Sequence, residues 1–182
     1  MIPNIIRCNS LPDLERIIIA IDPPATSGPK ADSCGLIVAG LSKKDNVSQA
    51  YILQDATVQG LTPEGWSRRA VELYHEWQAD CVLAEVNQGG EMVKTILHQC
   101  DPNLPVSTVH ATRGKTTRAE PVAALYEQGR VFHYGRFDAL EDEMTLIGSS
   151  AMTHSPDRVD ALVWAVHELI LKNRSTPCIR KI

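Results

Sequence analysis

The chain has 182 residues and a formal net charge of −4, which favours one domain and excludes capture of nucleic acid by bulk positive charge. If the partner is a nucleic acid, acid must be concentrated at a metal site and the basic residues grouped elsewhere. The five cysteines, Cys8, Cys34, Cys81, Cys100 and Cys178, are odd in number, widely spaced and without a CxxC pair, which speaks against a disulfide framework or zinc knuckle and fits a reducing compartment.

Residues 1–15 show no periodicity and read as a lead-in. They resemble no signal peptide, and no apolar run in the chain reaches membrane-spanning length. Arg16–Asp22 (RIIIAID) is a continuous β-branched run that ends in an acid, the signature of a buried central strand. A Pro/Gly/Ser-dense loop follows. Cys34–Ser42 and Gln49–Val58 then read as two more strands joined by the polar turn KKDN, so the first three strands form an antiparallel meander. Thr62 before Pro63 is an N-cap with proline at the first helical position. Trp66, Ala70, Leu73, Tyr74 and Trp77 recur at helical spacing and predict a helix over 63–79. Cys81–Val86 is a fourth strand, Asn87 to Gly90 turn the chain, Glu91–Gln99 is helical, and Pro105–Ala111 is a fifth strand. Thr117–Gln128 is a helix closed by Gly129. Val131–Tyr134 is a short strand and Phe137–Ile147 a helix. Ser155 and Pro156 open a last helix with Val159, Leu162, Val163, Val166, Leu169 and Ile170 on one face. The order predicts an α/β fold, a mixed sheet flanked by helices. The domain is expected over residues 16–172, with a lead-in at 1–15 and a tail at 173–182.

Three acids sit at the ends of apolar elements: Asp22 closes the first strand, Glu85 lies near the end of the fourth, and Asp160 falls in the first turns of the last helix. Burying such acids is costly unless something positive neutralises them. Divalent cations suit carboxylate oxygens, and two of them at one site support phosphodiester hydrolysis. Asp157, three residues before Asp160, shares its side of the helix. It reads either as an auxiliary ligand or as a first-turn partner of the helix dipole.

The segments IAIDPPATSGPKADSCGLIVAG, LAEVNQGG, RGKTTRAEPVAALYEQGRVFH, LEDEMT and SPDRVDALVWA occur in this order. Together they closely resemble the C-terminal nuclease domain of tailed-bacteriophage terminase large subunits, of the ribonuclease H-like superfamily, from about Arg16 to Leu171. The resemblance implies catalytic, metal-holding acids at Asp22, Glu85 and Asp160, with Asp22 shared between two Mg²⁺ or Mn²⁺ ions and the others holding one each. It implies a DNA endonuclease that cuts double-stranded DNA in genome packaging, in a host bacterial cytoplasm. Packaging ATPase, portal and small terminase subunit are the partners it suggests. A full large subunit carries an ATPase domain before this one, so this sequence is expected to be either an excised domain or a free-standing nuclease relative. Asp32 is a weaker candidate near the metals.

RGKTT has the tail of a phosphate-binding loop, but the full pattern needs glycine where Val109 stands. The better reading is charge: Arg113, Lys115 and Arg118, with Arg130 and Arg136 further on, form a patch for the DNA phosphate backbone. His154 reads as a capping or exposed residue, and His110 and His133 have no interpretable spacing. Trp66, Trp77 and Trp164 read as packing. Glu141, Asp142 and Glu143 read as a solvated helix face. The competing functions are a Holliday-junction resolvase, an RNA–DNA hybrid nuclease of the same fold, and a non-catalytic docking module of a packaging motor.

Overall fold

The computed structural model describes residues 5–24, 33–86, 90–111, 114–147 and 155–172. Asp32, Arg113, His154, residues 87–89 of the expected turn and the expected tail from 173 lie outside the described residues.

The β-branched run forms strand β2 (Arg16–Asp22) at the heart of a seven-stranded sheet. It pairs antiparallel with β3 (Gly35–Lys44), which pairs antiparallel with β4 (Val47–Asp55), as the meander requires. Asp45 and Asn46 make the hairpin turn, with φ of 51° and 63°, the left-handed pair that matches strand twist in a two-residue loop. On the other side of β2, β5 (Cys81–Glu85) and β6 (Val106–Val109) add in parallel. β7 (Val131–Tyr134) adds in parallel to β4.

The outer edge beyond β7 is held by Ile6–Cys8, strand β1, inside the stretch expected to be a lead-in. Three residues are too few to display a period, so the sequence carries no sign of it. What fixes the strand is long-range: Arg7 pairs with Glu141, and the Cys8 thiol donates to the His133 carbonyl.

Alternation along the strands divides the core in two. Ile17, Ile19 and Ile21 face helices α1 (Pro63–Glu76) and α2 (Gly90–Cys100) through Trp66, Ala70, Leu73 and Leu97. Thr62 caps α1 by accepting from the Gly65 amide at 3.2 Å. Ile18, Ala20, Ile37 and Leu83 face α3 (Lys115–Glu127), α4 (Asp138–Leu146) and α5 (Asp157–Val166) through Val122, Leu140 and Leu162. Each fully buried isoleucine of β2 contributes about 1.5–3 kcal/mol, and this double burial explains the absence of polar alternation in RIIIAID.

Helix α5 runs antiparallel to β2. At its start Gly35, the partner of Asp22, lies against the Asp157 backbone: a Cβ on Gly35 would stand 2.0 Å from that carbonyl oxygen. At its far end the chain widens into a π turn (His167–Leu171), where Glu168 accepts from the buried Arg16 at 3.3 Å.

Candidate active site at the carboxyl ends of two parallel strands

β2 and β5 are in parallel register, Ile21 beside Ala84. The next step along both strands sets Asp22 beside Glu85, on strands spaced about 4.8 Å apart. Parity decides their direction. Ile18 and Ala20 on β2, and Cys81 and Leu83 on β5, face α5, so Asp22 and Glu85 open on that same face. Gly35 lets the first turn of α5 descend to this row, which carries Asp157 and Asp160 to it. Cys34 reports the meeting: burial pushes its thiol well up, and the Asp22 and Asp157 carboxylates push it further.

On the other flank stands Arg118 of α3. Its guanidinium donates to Glu85 Oε1 at 3.3 Å and comes within 3.9 Å of Asp160. It lies over the Trp164 ring, 4.6 Å from the centroid, a cation–π contact in a buried setting. The Trp164 indole N–H donates to the other oxygen of Glu85. Asp157, Asp160 and Trp164 follow one another at i, i+3 and i+7 and so share one side of α5. Glu85, Asp157 and Asp160 are all less than one-tenth exposed.

Carboxylates on adjacent backbone positions, Glu85 buried and Asp22 partly so, are the oxygen donors that hard divalent cations take, so the residues fit such an ion in kind. They do not form a closed cage: among the described residues no three His, Cys, Asp or Glu side chains are gathered as a ready metal site. The two oxygens of Glu85 are taken by Arg118 and Trp164.

Of the expected basic patch, Arg113 is outside the described residues and Lys115 is the first residue of α3. Arg118 stands among the acids, with its side chain 9% exposed. Arg130 donates to the Ser48 carbonyl and Arg136 pairs with Asp138. Trp66 packs in the core as expected, and the Trp77 indole donates to Gln54. Trp164 packs too, but adds a polar contact to Glu85 that helical spacing does not reveal.

The solvated reading holds for the exposed Asp142 and needs correction for Glu141 and Glu143. Glu143 is buried and binds Arg158 of α5. Glu141 accepts from His133 and pairs with Arg7. Tyr126 closes this second network, its hydroxyl 2.8 Å from His133 Nε2. A run of acids looks solvated in sequence; here the partners lie on distant elements.

A separate groove between α1 and α2, lined by Arg68, His75 and Ile96 among others, opens on the opposite side of the sheet from these acids. Its charged walls are occupied by the Arg68–Glu64 and His75–Asp101 pairs.

The antiparallel meander, the parallel strands beside it and the helices on both faces constitute a ribonuclease H-like fold. Residues 19–169 match the family described as the Terminase RNaseH-like domain, and the chain belongs to that family. Among solved structures it is similar to the large terminase nuclease from the thermophilic phage G20c, at 14% identity over 90% of this chain and 93% of that one, with a TM-score of 0.58. It is also similar to the nuclease domain of the large terminase subunit of bacterial virus Sf6, at 13% identity over 86% and 90%, with a TM-score of 0.61. The G20c nuclease with bound magnesium aligns at 15% identity over 88% and 90%, with a TM-score of 0.58. No curated protein matches this chain in sequence.

Proposed function

We propose that this chain is a metal-dependent endonuclease that hydrolyses double-stranded DNA, as the nuclease domain of a packaging terminase large subunit in a bacterial host. The observation that carries the reading is the single row formed by Asp22 and Glu85 under the first turn of α5, with Asp157 and Asp160 brought to it by the glycine at position 35. Asp22, Glu85 and Asp160 would hold two Mg²⁺ or Mn²⁺ ions, with Asp157 as auxiliary. A magnesium-bound structure of the G20c nuclease supports the choice of ion.

Bound divalent ions supply charge neutralisation at the scissile phosphate and favour deprotonation of the attacking water. The chain's own part is to present ionised oxygens from rigid elements and to keep the site largely dry. Arg118 pairs with Glu85 and comes near Asp160; with ions held there, its guanidinium would be available to the DNA backbone with Arg113 and Lys115. Phosphate contacts carry no base information, so cutting has little sequence preference. A packaging ATPase, a portal and a small terminase subunit are the proposed partners.

The test is conversion of supercoiled plasmid to nicked and linear forms with Mn²⁺ or Mg²⁺. Cutting that stops with EDTA and disappears in Asp22→Ala supports the assignment. Undiminished cutting by purified Asp22→Ala refutes it.

A further inference from the structure

We propose that Glu143 is a positioning residue for the acids of α5, acting as a helix cap supplied from another helix. The cap position of α5 is Pro156, which makes no side-chain cap bond. The first amides of a helix have no partner within it and need one elsewhere when buried. Glu143 Oε2 accepts from the Arg158 amide at 3.1 Å and from the Val159 amide at 3.4 Å. Those are the two residues that separate Asp157 from Asp160.

The same carboxylate accepts from Arg158 Nη1 at 2.8 Å, and Arg158 Nε donates to Asp55 at the end of β4 at 3.1 Å. Glu143 thus fixes the backbone between the two acids and ties it, through Arg158, to the sheet. Its side chain is 6% exposed, so removing it leaves the two amides without their charged acceptor and Arg158 held by Asp55 alone. The arrangement joins LEDEMT to SPDRVD: one supplies Glu143, the other the amides and arginine it binds. Fixing that turn holds Asp157 and Asp160 in place beside the row of Asp22 and Glu85. Outer partners that orient metal-holding carboxylates set affinity for the ion.

The inference rests on the metal site proposed above. Its test is calorimetric Mn²⁺ binding to the full chain, comparing wild type, Glu143→Ala, Glu143→Gln and Leu73→Ala. Leu73 is buried on the opposite face of the sheet, so its variant controls for lost stability alone. Glu143→Ala is expected to weaken Mn²⁺ binding by about tenfold or more. Glu143→Gln, whose amide oxygen still accepts from the backbone, is expected to fall between it and wild type. Leu73→Ala is expected to bind as wild type does. Should Glu143→Ala not fold, weakened binding by Glu143→Gln decides in favour. Wild-type affinity in the folded Glu143 variants, or equal weakening in Leu73→Ala, overturns the inference and leaves the metal site standing. A wild-type chain that binds no Mn²⁺ removes both.

Discussion

Arg118 reaches from α3 to donate to Glu85 at 3.3 Å while its guanidinium rests on Trp164. A buried charge pair of this kind is costly to break from one side, because the remaining charge is left in a dry site. Arg118→Met is therefore expected to lose about 3 kcal/mol of stability in EDTA. The same variant is expected to recover more stability from Mn²⁺ than wild type does, since the ion meets no resident cation at Glu85. Thermal denaturation with and without Mn²⁺ measures both effects. An equal Mn²⁺ response in the two proteins would show that Arg118 and the ion do not compete.

Gly35 makes a steric demand that no other residue meets. A methyl group there would sit 2.0 Å from the Asp157 carbonyl oxygen, and neither β3 nor α5 yields without lifting the helix start from the sheet. Gly35→Ala is expected to cost at least about 2 kcal/mol and to weaken Mn²⁺ binding at the same time. Chemical denaturation and calorimetry check the two consequences separately. Unchanged values in both would mean that α5 does not depend on this close approach.

These two contacts show what the sequence could disclose. RIIIAID and CVLAE announce central strands because burial on both faces removes polar alternation, and an acid at the end of each stands out against it. Their adjacency does not follow from either segment; it comes from the parallel register of β2 and β5. The expected ends of the last helix and of the strand at Val131 fall close to those observed, as local patterns do. Glu143 and His133 escaped for the opposite reason. Each looks ordinary within its own segment, and its meaning lies in partners on other elements. Strand β1 is the extreme case, three residues ordered by a neighbouring strand and one ion pair.

The Tyr126–His133–Glu141 network makes stability depend on pH. Burial holds the His133 imidazole below its ordinary 6.5, against the hydrogen bond and charge of Glu141 that pull it up. The unfolded chain therefore binds the extra proton first as pH falls through 6.5, and folding loses stability in that direction. Burial would raise Glu141, but hydrogen bonds from Arg7, His133 and the Phe137 amide outweigh it and hold the carboxyl below 4.5. That adds a second loss in more acid solution, as pH falls through the lowered value. Melting temperatures are expected to decline from pH 7.5 to about 5.5, and His133→Gln is expected to flatten much of the decline. His167, which burial also lowers, accounts for a remainder. A full decline in His133→Gln would remove the network from the explanation.

The proposed role of Asp22 in metal binding can be separated from any role in stability. The neighbour of Asp22 across β2 and β5 is Glu85, and carboxylates so placed repel one another to the extent that Arg118, which pairs with Glu85, does not offset the charge. Asp22→Asn relieves that repulsion while keeping the size of the side chain. In EDTA the variant is expected to be as stable as wild type or more so. With Mn²⁺ the order is expected to reverse: wild type should gain stability in proportion to the logarithm of the ion concentration above its dissociation constant, and the variant should gain little. Plasmid cutting by the variant should fall by about a thousandfold or more, roughly 4 kcal/mol of transition-state stabilisation. Melting curves in EDTA and across an Mn²⁺ titration test the reversal without any substrate. A variant that is less stable than wild type in EDTA would mean that Asp22 serves the fold, through contacts that offset its repulsion from Glu85.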